Sequence, residues 1–218
     1  RGDFIVRVYQ HLLGAVLAFV VFEALLFNIG AAERIYDFVA GGGYRWLIIR
    51  GGFMVGQWFV AQAAADMLNP SKQYGALFAM AALEALIFAP FLYYLFEIEN
   101  DGATTVAAAA LITALGFGGL TVVALITRKD LSFLRPMVMF GFVAALVLIV
   151  AAVMFGFDLG VWFSVAMITL AGMAILYQTQ QVLRQYPEQA HVAAALVLFA
   201  SLMTMFWYVL RLVSQLRN

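Results

Sequence analysis

Apolar residues in this chain come in seven long runs, at about 11–29, 46–68, 75–96, 103–127, 136–157, 160–183 and 190–213. A helix needs roughly 20 mostly apolar residues to cross the hydrocarbon core of a bilayer, and each run is about that long. Backbone N–H and C=O groups in lipid must bond within their own segment, so such runs fold as helices. Strand spans would need polar alternation, which is absent. The chain is 66% hydrophobic and 11% charged, whereas a soluble domain keeps about a quarter of its residues charged. Lipid must therefore be its solvent. The prediction is an all-α integral membrane protein with seven transmembrane helices, a single seven-span domain over 1–218. The first run is too long for a signal peptide and contains Glu23. The chain begins at Arg1 without a methionine, which leaves room for an amino-terminal piece before it.

The breaks between runs carry turn chemistry and charge: "GAAERIYDFVAGGGYR", "DMLNPSKQYG", "EIENDG", "TRKDLSFLRP", "FDLG" and "LRQYPEQAH". Seven spans put Arg1, Arg7, Lys72, Arg128, Lys129, Arg135 and Arg184 on the side of the amino terminus. Arg34, Arg45, Arg211 and Arg217 fall on the other. The positive-inside rule then makes the amino terminus cytoplasmic and the carboxyl terminus external, with Trp46, Trp162 and Trp207 as an outer aromatic belt. Gly52 and Gly56 have GxxxG spacing, and Gly116, Gly118 and Gly119 lie mid-helix, both read as general packing signals. Pro90 should free the carbonyl of Leu86 and bend the third helix.

Three charged side chains fall within spans: Glu23, Arg50 and Glu84. Placing one at the bilayer centre costs about 2.5–3.5 kcal/mol even on the lenient insertion scale. Glu23 and Arg50 share the outer half, so an ion pair between the first two helices is expected; Arg50 could instead snorkel outward. Glu84 lies near mid-membrane, with no basic residue expected at its depth. It is either a carboxyl facing an aqueous cavity, able to hold a cation or relay a proton, or a protonated, hydrogen-bonded structural glutamate. His11 and His191 belong to the inner boundary as anchors; two histidines alone do not make a metal site.

The residues also exclude functions. The only lysines, Lys72 and Lys129, are in loops, so no retinal Schiff base can form on the seventh helix. There is no cysteine, no pair of intramembrane aspartates, and no GxSxG or histidine to activate Ser201. Net charge is zero, without a basic block, which argues against nucleic acid. The expectation is a conduit or interaction protein, not an enzyme, without cofactor or metal.

Several stretches together resemble the Bax inhibitor-1 (transmembrane Bax inhibitor motif) family in its bacterial branch: "FIVRVYQHLLGAVLAF", "RKDLSFL", "ILYQTQ" and "AAALVLFASLMTMFWYVLRL". "RKDLSFL" before a hydrophobic helix is the most specific. The resemblance implies six helices around a central seventh, a bacterial inner membrane, and a pH-sensitive leak of calcium or other cations. It also implies two aspartates that share a proton and gate the pore. Here their positions hold Gln178, in "YQTQ", and Ser201, matched through the downstream Leu210 and Arg211. These two can hydrogen-bond but cannot titrate. Gln178 is thus expected to line the site, with Gln180 and Gln181 marking the helix end at the membrane boundary. The expected pore or ion-binding residues are Glu84, Gln178 and Ser201, with Glu84 and Ser201 presented to one cavity. The alternatives are a non-conducting modulator acting through partners, and a secondary transporter, the latter weakened by the lack of a second broken helix.

Overall fold

The computed structural model describes residues 1–99 and 101–217. Among these the chain is helical, with no strand: α1 (Gly2–Asn28), α2 (Ala31–Ala40), α3 (Gly43–Ala64), α4 (Pro70–Tyr93), α5 (Gly102–Ile126), α6 (Leu134–Phe155), α7 (Gly160–Arg184) and α8 (His191–Arg217). Six of these, all but α2 and α3, are long and apolar enough to cross a membrane. That fits an integral membrane protein. The expected second span, α3, has 22 residues, a length of about 33 Å at 1.5 Å per residue. It falls short in apolarity rather than length, because Arg45, Arg50, Gln57 and Gln62 interrupt it.

Local chemistry explains the boundaries. Asn69 caps α4 by accepting the backbone N–H of Lys72 at 3.3 Å, and Pro70 opens the helix where its missing N–H does no harm. Gly156 closes α6 in the left-handed conformation at φ 72°. The segment between the first two spans, expected to be a turn, holds the ten-residue helix α2 instead. Its residues explain this: Ala32 is buried while Glu33, Arg34 and Asp37 stay on the outside, and Gly30 (φ 68°) and Gly42 (φ 150°) supply the sharp corners at either end. Pro90 does not stop α4. The helix runs on to Tyr93 and then widens into a π-helical turn at Tyr94–Ile98.

Two compact units form: Arg1–Gly102 with Tyr186–Ala200, and Ala103–Gln185 with Ser201–Asn218. In the first, Phe19 of α1 meets Phe88 of α4 edge to face at 5.2 Å, and Phe27 meets Tyr93 and Phe96. In the second, Val138 and Ala145 of α6 pack with Phe163, Met167, Leu170 and Ala174 of α7 and with Tyr208 of α8. Most of the apolar stretch of α4 and of α8 is buried, whereas most of α6 is exposed.

The glycines separate into packing and idle positions. A Cβ at Gly56 would stand 3.1 Å from Leu83 Cδ1, and one at Gly116 would touch Met205. Gly52, Gly118 and Gly119 face open space. Gly56→Val should therefore lower stability by about 1–3 kcal/mol through overpacking. Gly118→Ala should raise it by about 0.5–1 kcal/mol through lower backbone entropy. Thermal unfolding in detergent micelles checks both signs.

Candidate functional site

Several polar side chains of the spans bond to one another and tie helices together. In the second unit, the Ser201 hydroxyl of α8 donates to Gln178 Oε1 of α7 at 2.6 Å. Ser201 is buried and Gln178 half-buried. About four turns away, the Ser164 hydroxyl of α7 donates to Gln215 Oε1 of α8 at 3.0 Å. The expected contact between the two positions that carry aspartates in the resembled family is thus a direct hydrogen bond between a hydroxyl and an amide.

Gln180 lies one turn before the end of α7. It is buried, and beyond what was expected both ends of its amide are used. Its Oε1 accepts the backbone N–H of Leu131 at 2.7 Å, and its Nε2 donates to the Lys129 carbonyl at 2.8 Å. The side chain acts as a short length of backbone, clamping the "RKDLSFL" connection against α7. Arg184 extends the clamp by donating to the carbonyls of Thr127 and Arg128 at 3.0 and 3.3 Å. Within the connection, Asp130 Oδ1 accepts both the backbone N–H and the hydroxyl of Ser132, at 2.9 and 2.6 Å. Those two bonds hold the Asp130 carboxyl below its usual range. Gln181, half-buried, does reach toward the end of its helix, donating to Gln185 at 3.5 Å. A polar cleft of about 230 Å³ opens here between Asp130, Tyr177, Gln181 and Arg184.

In the first unit Glu84 is buried, at 4% exposure, and held. Gln57 Nε2 of α3 donates to its Oε1 at 3.3 Å, and the charge of Arg50 acts on it. A basic neighbour thus exists where none was expected, because α3 brings Arg50 and Gln57, two turns apart, toward α4. The expected Glu23–Arg50 pair is not formed: both Glu23 carboxyl oxygens are buried without a hydrogen-bond partner. Arg50 instead has its guanidinium 5.6 Å from the Phe53 ring centroid. Glu84 and the Gln178–Ser201 pair belong to different units.

The two histidines, expected only as anchors, meet in the first unit with ring centroids 4.9 Å apart. His11 Nδ1 donates to the Arg7 carbonyl at 2.6 Å, so in the neutral ring Nε2 accepts from the Tyr74 hydroxyl at 3.2 Å. Among the described residues no group of three or more His, Cys, Asp or Glu could hold a metal.

A family model described as inhibitor of apoptosis-promoting Bax1 matches residues 1–218. An uncharacterized protein of Neisseria meningitidis serogroup A is 29% identical over 191 residues, which cover 86% of this chain and 82% of that one. An uncharacterized protein of Pseudomonas aeruginosa is 30% identical over 132 residues, 59% of this chain and 58% of its own length.

Gln180→Ala should cost about 1–3 kcal/mol for each backbone group it leaves unpaired, here the Leu131 N–H and the Lys129 carbonyl. Gln180→Glu should cost at least as much, because it keeps an acceptor for Leu131 but sets a second acceptor and a buried charge against the Lys129 carbonyl. Thermal unfolding orders the two. The Asp130 contacts carry a pH sign. A carboxyl held low contributes stability at neutral pH and loses it only as pH falls below about 3.9, through its own lowered value. Proteolysis of the 128–133 connection should accelerate below that pH in the parent and be insensitive to it in Asp130→Asn.

Proposed function

Because the chain belongs to the Bax inhibitor-1 family, whose model matches it from end to end, we propose that it is a cation leak of the Bax inhibitor type that lacks the paired-acid pH switch. A fixed amide–hydroxyl bond stands in its place. The observation that carries this reading is the 2.6 Å bond from Ser201 to Gln178. Two carboxyls at this separation cannot both ionise, so a dyad there is pulled together or pushed apart by a proton. A glutamine amide and a serine hydroxyl have no proton to exchange in that range, so the α7–α8 contact holds one state across it. Calcium is the cation the family resemblance implies. The relatives in Neisseria and Pseudomonas support a bacterial inner membrane, and the arginine and lysine bias supports a cytoplasmic amino terminus.

A second reading has one observation in its favour. Glu84, buried and held by Gln57 with Arg50 nearby, has the surroundings of a structural carboxyl rather than of one facing water. That suits a non-conducting modulator acting through partner proteins, and it removes Glu84 as the gate of choice within the leak reading.

Calcium flux into liposomes carrying purified protein separates these. The leak reading expects flux above that of protein-free vesicles with no step between pH 6 and 8. Gln178→Asp combined with Ser201→Asp should introduce a step in that interval. A steep step in the parent that survives Glu84→Gln would overturn the absence of a switch, and flux no greater than that of empty vesicles for every variant would leave the modulator.

A further inference from the structure

A threonine inside a helix ordinarily donates its hydroxyl to the carbonyl one turn earlier. Thr169 does so to Val165 at 3.0 Å and Thr127 to Val123 at 2.6 Å. Thr113 of α5 and Thr179 of α7 do not. They are 4% and 1% exposed, and their hydroxyls have no partner among the polar atoms of the described residues. Buried hydroxyls without partners are uncommon in native structures, and each calls for a ligand or a water. Both lie in the second unit.

The two hydroxyls fall on opposite sides of one apolar contact. Met205 of α8 lies against both Gly116 of α5 and Gly172 of α7: Cβ atoms built there would be 3.7 Å from its sulfur and 3.8 Å from its methyl group. Leu120 closes on Gly172 from α5 in the same way, at 3.4 Å. Thr113 is about one turn from Gly116 toward the start of α5, the direction in which α7 and α8 present the Ser164–Gln215 bond. On the other side α7 and α8 present the Gln178–Ser201 bond, with Thr179 beside it. Thr121, also buried, follows on α5. Three helices thus carry neutral polar groups above and below a level where two glycines make room for a methionine.

We infer that α5, α7 and α8 enclose a hydroxyl- and amide-lined lane through the second unit, closed at Met205, that passes water and monovalent cations in preference to calcium. This rests on the leak reading and names its path and gate. The permeant follows from the lining. Calcium sites are built with carboxylates, whereas neutral oxygens can replace part of the hydration shell of a singly charged ion. The lane residues include no acid. A thioether and a leucine at a narrow point gate by excluding water, and methionine, unbranched and flexible, can swing aside.

The chain has no cysteine, so single thiols can be read without background. In liposomes, Thr113→Cys and Thr179→Cys should react with a water-soluble methanethiosulfonate at least tenfold faster than Leu115→Cys, whose parent side chain is 68% exposed on the outside of α5. Met205→Ala should raise K⁺ efflux at least tenfold, and Ca²⁺ flux by less, while Met205→Leu, which keeps the apolar volume, stays at the parent rate. Adding Thr113→Val to Met205→Ala should reverse most of the gain. Thiols at 113 and 179 as slow as the one at 115 overturn the lane. A Met205→Ala protein that unfolds like the parent but passes no more K⁺ overturns the gate alone, provided Gln178→Asp with Ser201→Asp still conducts. If that variant is silent too, the leak reading falls with it.

Discussion

Hydrocarbon offers no hydrogen bond, so a polar group that enters the membrane must find its partner in the chain itself or in water that reaches it. The backbone meets this demand by becoming helical. The side chains meet it by binding one helix to the next, and those bonds decide which helices are neighbours. Gln57 with Glu84 joins α3 to α4; Ser164 with Gln215 and Ser201 with Gln178 join α7 to α8 at two heights. Gln180 does the same for a connection, replacing the backbone partners that Lys129 and Leu131 would have in a regular element. Removing one member of such a bond exposes its partner to the same demand, which is why a few amides and hydroxyls carry so much of the architecture.

What could be read from the residues alone follows from how local each demand is. The helices were predictable because backbone self-satisfaction needs no information from elsewhere in the chain. The capping of α4 by Asn69 ahead of Pro70 is equally local. The ten residues of α2 were missed because charged residues between glycines look like a turn, although Ala32, Tyr36 and Val39 recur at helical spacing. Seven spans were expected, and α3 is the one not apolar enough: Arg50 and Gln57 in its interior serve a neighbouring helix, and sequence shows the polarity without showing the partner. The Glu23–Arg50 pair failed for that reason: similar depth is not proximity, and the charge of Arg50 acts on Glu84 instead. Gln178 and Ser201 could be placed because two helices were matched to a family pattern; Gln180, two residues on, could not, since its partners are backbone atoms 49 and 51 residues away.

The acids of the first unit show how few charges such an interior can hold. The charge of Arg50 acts on only one of the two buried carboxyls. Glu84 has an amide donor as well as the charge of Arg50, and Glu23 has neither. The second unit avoids the problem by using no charge in its core, only hydroxyls and amides. A neutral polar interior costs less to bury than an ionised one, and it needs no counter-ion whose arrival or departure would change its state.

That difference bears on how a family contact can be kept while its response is lost. A carboxyl dyad does two things at once: its shared proton makes a short bond, and the loss of that proton breaks it. Glutamine and serine reproduce the bond and omit the loss, because neither side chain changes charge over the range in which a dyad would. The α7–α8 contact then becomes a structural constant, and in the proposed leak any opening would have to act elsewhere along the same helices. Met205 is one turn beyond Ser201 on α8, where Gly116 and Gly172 leave it space. Under the proposed leak, a side chain with rotamer freedom, set beside a bond that cannot titrate, would move control from protonation to packing.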